Sequence, residues 1–133
     1  QVAFRHLPIA QAHPNALPAA KTAVCAQRQG RFWPMHDLLF SADVSLGAQE
    51  LAGYARQVGL DFSEYSRCLE GHSTAAVQSD LAMAAQLNVR GTPTIFVGRR
   101  VDSGHVKVAN VLPGSPTLAS LSSILDGLIR ARD

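Results

Sequence analysis

The stretch Gly91-Thr92-Pro93-Thr94-Ile95-Phe96-Val97 decides how this chain folds. A helical pattern ends just before it, at Leu87-Asn88-Val89, and a short apolar run follows at once. Pro93 has no N–H and fixes its own φ, and a glycine stands two positions earlier, so the entrance to the strand is a specified turn. The pattern predicts a strand over Thr94–Val97 and a turn at Gly98-Arg99-Arg100, with Arg99 and Arg100 solvated at its tip. Val101, Val106, Val108 and Val111-Leu112 continue as β segments, broken at Ser103-Gly104. Ser115 then caps a last helix with Pro116 at its first position, and Leu118, Leu121, Ile124, Leu125, Leu128 and Ile129 form its apolar stripe.

Toward the N-terminus the period is helical almost throughout. The expected helices cover about Ala16 to Gln29 with Gly30 after its end, Phe32 to Phe40, and Ala48 to Val58 with Gly59 as its stop. Asp61-Phe62-Ser63-Glu64 has the spacing of a capping box, with Leu60 as staple, and opens a helix to about Leu69 or Glu70. Ser73 or Thr74 caps a longer one that reaches Leu87, with Asn88 after it. Before all of these, Val2–Leu7 is β-prone and closed by Pro8. Two strands separated by a helical block this long are expected to lie parallel under helical cover, whereas the later pair, joined by a short turn, is antiparallel.

The chain has 133 residues, enough for one domain with a core, and its hydrophobic fraction of 47% argues against disorder. Twelve basic side chains oppose ten acidic ones without forming a stripe, which excludes the electrostatic footprint of a nucleic-acid binder. No apolar run approaches the ~20 residues of a membrane-spanning helix. Gln1-Val2-Ala3-Phe4-Arg5 reads as the inside of a strand and not as a leader, and the chain lacks an initiator Met. Cys25 and Cys68 do not have a metal-ligand spacing; they form either one disulfide or two buried thiols. His6, His13, His72 and His105 are scattered, so no metal site is expected. His36-Asp37 invites a dyad reading, but adjacent helical residues point about 100° apart, and no hydrogen bond between them is expected. Trp33, Phe32 and Phe40 read as core of the helical block.

An ordered series carries a resemblance. His6-Leu7-Pro8, His13-Pro14, Ala23-Val24-Cys25-Ala26, Gln29-Gly30-Arg31-Phe32-Trp33, Met35-His36-Asp37-Leu38-Leu39-Phe40, Gly59-Leu60-Asp61, Cys68-Leu69 and Val89-Arg90-Gly91-Thr92-Pro93-Thr94 together resemble the DsbA-like thiol–disulfide oxidoreductases. The likeness runs from Val2 to about Gly98 and resumes at Pro113-Gly114. It implies an α/β, thioredoxin-like sheet in one domain over 1–133. A helical insertion would span 14–88, and a cis-Pro loop, a β-hairpin and a C-terminal helix would span 89–133.

The resemblance also implies a strand and a helix bearing Cys-x-x-Cys ahead of Val2–Leu7. No Cys-x-x-Cys occurs in these residues, so the fold is expected to be N-terminally incomplete and to hold no catalytic residue. Neither cysteine replaces it: Cys25 falls mid-helix and Cys68 near a helix C-terminus, where the dipole disfavours a thiolate. The sheet would be completed by a longer parent chain, by a second copy exchanging a strand, or by Val2–Leu7 pairing directly with Thr94–Val97. Within the family, Thr92-Pro93 is cis, Thr92 holds a bound peptide through its backbone, and Pro93 faces the reactive disulfide. Some members carry a structural disulfide in the helical block, which would be Cys25–Cys68 here.

The implied activity is disulfide formation or exchange in extracytoplasmic proteins. Its partners would be protein or peptide thiols and disulfides and a redox partner protein, with no metal or organic cofactor. Two rivals stand beside it. One is a glutathione-dependent kappa-class transferase or isomerase of the same fold. The other is a non-catalytic peptide-binding module fused to a larger protein.

Overall fold

A computed structural model describes residues 1–41, 45–102 and 104–131. The chain divides into two compact units, Gln1–Asn88 and Val89–Asp133. The axis of the first is α1 (Ala16–Arg28), whose alanines Ala19, Ala20, Ala23 and Ala26 are all buried. Small side chains let neighbours approach closely, and α2 (Phe32–Leu39), α3 (Ala48–Gln57), α4 (Phe62–Glu70) and α5 (His72–Gln86) all pack on α1. Ala23, Cys25, Ala26, Met35, Ala55, Leu60, Tyr65 and Cys68 form the main core, and Ala20, Val24 and Val77 a second one toward α5.

Helix ends follow local chemistry. Gly30 has φ +69°, and the Arg31 N–H donates to the Ala26 carbonyl at 2.8 Å while the Gly30 N–H donates to Gln27, which is a Schellman closure of α1. Asp61 caps α4, its carboxylate accepting the Glu64 N–H at 2.8 Å. The Gln29 side chain both donates to the Asp61 carbonyl and accepts the Asp61 N–H, tying the end of α1 to the start of α4. The cap expected at Ser73 or Thr74 is corrected: α5 starts at His72 after Gly71. The buried Ser73 hydroxyl donates to the Leu69 carbonyl, so it serves the end of α4 instead.

The strand expected at Val2–Leu7 is not formed; the segment is irregular. β propensity is realised only against a neighbouring ladder, and the sheet of the described residues has two strands, neither of them this one. Pairing of Val2–Leu7 with Thr94–Val97 is therefore corrected as well. A side chain holds the segment: Asp80 of α5, itself buried, accepts the His6 N–H at 2.8 Å and the Arg5 guanidinium at 3.2 Å.

His6 is nearly enclosed, and burial pushes its pKa below the ordinary histidine value. Arg5 pushes the same way and Asp80 opposes it. Its folded pKa thus lies below that of the unfolded chain, which takes up the proton first as pH falls. Stability is complete above about pH 6.5 and is lost as pH drops from there toward the lowered folded value. Urea titrations at pH 7.5 and pH 5 should show this loss, and His6→Gln should flatten it; an equal slope in the variant would remove His6 as the cause.

The second unit holds β1 (Thr94–Arg100), β2 (Val106–Pro113) and α6 (Leu118–Arg130). The strands are antiparallel, with Thr94 opposite Pro113 and Arg100 opposite Val106. β1 runs through the expected turn at Gly98-Arg99-Arg100. The chain reverses later, where the Val101 N–H donates to the His105 carbonyl and Asp102 accepts the N–H groups of Gly104 and His105. The Gly104 N–H first, and then the His105 ring, hold the Asp102 carboxyl below its ordinary value. Ser103, part of the expected break, lies outside the described residues. Arg99 is half-buried and donates to the Leu128 carbonyl of α6, and so is not a solvated turn residue. The cap of α6 is Thr117, which accepts the Ser120 N–H at 3.1 Å, and not Ser115 with Pro116. No residue of α6 is buried, and its stripe is open at Leu118 and Ile129.

The ladder shifts between Val97, opposite Asn110, and Gly98, opposite Val108, so that Ala109 bulges from β2. At Gly98 an added Cβ would run into the Lys107 carbonyl and stand 2.9 Å from Val108 Cα. Both are backbone atoms that cannot swing aside. Gly98→Ala should therefore cost about 1–3 kcal/mol, read as earlier amide exchange in β1 and β2; unchanged protection would show that the bulge yields.

Candidate functional site

The loop entering β1 is fixed from both sides. The Thr94 hydroxyl donates to the Gly91 carbonyl at 2.7 Å, and the Pro93 carbonyl accepts the Gly114 N–H at 2.8 Å. The first bond closes the loop on itself and the second ties it to the chain leaving β2. The Thr92-Pro93 peptide bond is cis. Thr92 and Pro93 are exposed, and the backbone N–H and C=O of Thr92 have no hydrogen-bond partner among the described residues.

Cys25 and Cys68 are joined by a disulfide between α1 and α4, with Cα atoms 5.8 Å apart. The bond lies inside the main core, Cys25 fully buried and Cys68 nearly so. Both cysteine sulfurs are thereby paired, and no thiol among the described residues is available to attack a disulfide.

The histidines behave differently from expectation. His36 Nδ1 and the Asp37 carboxylate are 3.0 Å apart, although a hydrogen bond between neighbours on a helix was not expected. The separation of about 100° describes Cβ directions, and at the last turn of α2 the exposed Asp37 side chain is free to wrap back to the ring. The His36 ring also meets Phe4, Phe32, Trp33 and Phe40, with centroids 4.6–5.9 Å away. Of the three aromatics expected in the core, Phe32 is half-buried and packs against the main cluster, whereas Phe40 is 70% and Trp33 48% exposed. Sequence reading missed the group because Phe4 lies some thirty positions earlier, in a segment that Asp80 anchors at Arg5 and His6 and that packs on Phe32 and His36 of α2. Among the described residues, no three His, Cys, Asp or Glu side chains converge as a metal site would require.

An antiparallel hairpin entered through a cis-proline loop, together with a helical unit stapled by a disulfide, has the layout of a thioredoxin-type module with a helical insertion. The family model for the DSBA-like thioredoxin domain matches residues 1–126, and the chain belongs to that family. The fold is thioredoxin-like, mixed α/β: a thioredoxin-like oxidoreductase from Silicibacter pomeroyi superposes with a TM-score of 0.73 at 27% identity, over 97% of this chain and 66% of that one. Among curated proteins, a Na(+)/H(+) antiporter NhaA 1 of Salinispora arenicola is 38% identical over 106 residues. A Na(+)/H(+) antiporter NhaA 3 of Salinispora tropica is 40% identical over 106 residues. The match covers 79% of this chain and 16% of each antiporter, so the chain spans about a sixth of the curated relatives' length.

Proposed function

We propose that this chain is the thioredoxin-type part of a protein thiol–disulfide oxidoreductase, working outside the cytoplasm on protein or peptide thiols and disulfides. Thr92 holds the peptide backbone, Pro93 shapes the face presented to the reactive sulfur, and that sulfur pair comes from sequence other than these residues. The observation that carries the reading is the exposed Thr92, its main-chain groups free, in a loop pinned by Thr94 and Gly114. Family membership supports the same reading. The buried Cys25–Cys68 bond fits an oxidising compartment and serves as a staple. A redox partner would reset the reactive pair.

The test uses the full-length polypeptide. It should reduce insulin disulfides through its reduced dithiol or, in its disulfide form, oxidise paired peptide thiols, and a Cys25→Ser/Cys68→Ser variant, assayed below its unfolding temperature, should keep that activity. Thr92→Pro deletes one main-chain donor. It should raise KM for a peptide substrate about tenfold, the worth of one hydrogen bond, while Thr92→Val leaves KM unchanged. Absence of exchange by the full-length protein would reject the reading.

The antiporter relatives favour a second reading, in which the chain is a peptide-binding appendage of a transport protein. No helix of the described residues is long and apolar enough to cross a membrane, so transport would belong to another part of the polypeptide. Peptide binding without insulin turnover in the full-length protein, lost in Thr92→Pro, would select it.

A further inference from the structure

A cavity of about 210 Å³ opens in the helical unit between α1, α3 and α4. Each helix gives one turn to it: Pro18, Lys21 and Thr22 from α1, Ala48 and Leu51 from α3, Tyr65 and Leu69 from α4. Pro18, Ala48, Leu51 and Leu69 make apolar walls. The polar side chains are Lys21, which pairs with no carboxylate among the described residues, and the hydroxyls of Thr22 and Tyr65, 3.0 Å apart and 1% and 3% exposed as residues.

That hydroxyl pair is not saturated. Whichever hydroxyl donates to the other, the receiver's own hydrogen has no acceptor among the described residues. The cavity thus combines one cation, one buried O–H without an acceptor, and an otherwise apolar lining. A neutral occupant would leave the ammonium without a counter-charge. A phosphate dianion needs more donors than one ammonium and one hydroxyl supply. A carboxylate takes both donors and leaves its body to the apolar walls.

We propose that this cavity binds a small monocarboxylate with a compact apolar body, its carboxylate between Lys21 and the Thr22–Tyr65 hydroxyls. An apolar cavity of about 150 Å³ accepts benzene, so this one admits roughly eight or nine non-hydrogen atoms, the size of benzoate. The site lies in the helical unit and does not depend on the role proposed for Thr92 and Pro93.

Equilibrium dialysis of radiolabelled benzoate against the full-length protein tests it. Saturable binding with a Kd of about 1 mM is expected for a ligand of this size. Lys21→Met, at a half-buried position of α1 and a good helix former, should weaken it about fivefold or more, and benzyl alcohol should bind worse by a similar factor. The hydroxyls predict a non-additive pattern. Thr22→Val and Tyr65→Phe each leave one hydroxyl hydrogen and should bind benzoate nearly as the parent does. The double variant, which removes both partners together and so keeps the fold, should bind several-fold more weakly. No saturable uptake about tenfold above the expected Kd, an unaffected Lys21→Met, benzyl alcohol binding as well as benzoate, or an unaffected double variant would each overturn the proposal.

Discussion

Replacing Cys25 and Cys68 together by alanine should destabilise the helical unit by about 3–4 kcal/mol. The disulfide closes a loop with a sequence separation of 43, and the chain-entropy relation gives about 4 kcal/mol for a loop of that length. Both sulfurs also sit among Ala23, Ala26, Met35, Ala55, Leu60 and Tyr65, so their loss leaves space that small neighbours cannot fill. For a unit of this size the melting temperature should fall by roughly 15–25 °C, followed by circular dichroism at 222 nm. Reducing the native protein should reproduce most of the shift. A double variant within about 1 kcal/mol of the parent would mean that the alanine-lined core holds α1 to α4 without the bond.

Met35→Ala should cost about 3 kcal/mol, within the 2–5 kcal/mol range for emptying a buried methionine site. Met35 has no exposed surface and is among the largest of the fully buried side chains. The α1 members of its core cluster are Ala23, Ala26 and the disulfide-bonded Cys25, none of which has a side chain that can rotate into the void. Trp33→Ala provides the contrast. Trp33 is the larger residue, but it is half exposed and makes edge contacts with Phe32 and His36, so its truncation should cost only about 1 kcal/mol. Chemical denaturation of the two variants side by side measures the difference. A costlier Trp33 truncation would place the aromatic group in the core, as the sequence pattern had it.

That contrast shows why part of the chain was legible and part was not. Phe32, Trp33, Met35, Leu38, Leu39 and Phe40 make α2 apolar nearly all round, so periodicity had no polar face by which to orient it. Only packing against α1 assigns Met35 inward and leaves Trp33 and Phe40 outward. The His36–Asp37 contact depends on side-chain torsions that spacing does not encode. Thr92 and Pro93 were readable because proline restricts the backbone locally, whereas the free main-chain groups of Thr92 could be recognised only once its neighbours were in place.

Sequence alone determined what acts over short separations: five helices ahead of a proline-gated hairpin, the Asp61 cap, the turn at Gly30, and an ordered series of motifs sufficient to indicate the family. These are set by interactions within a few residues of one another. The cysteine state, the Thr22–Tyr65 hydroxyl pair and the fate of Val2–Leu7 were decided by tertiary structure, because each joins residues more than forty positions apart. For Val2–Leu7 the deciding group was one buried carboxylate on α5. Asp80 needed its charge compensated, and the Arg5 guanidinium and His6 N–H met that need where no ladder was at hand.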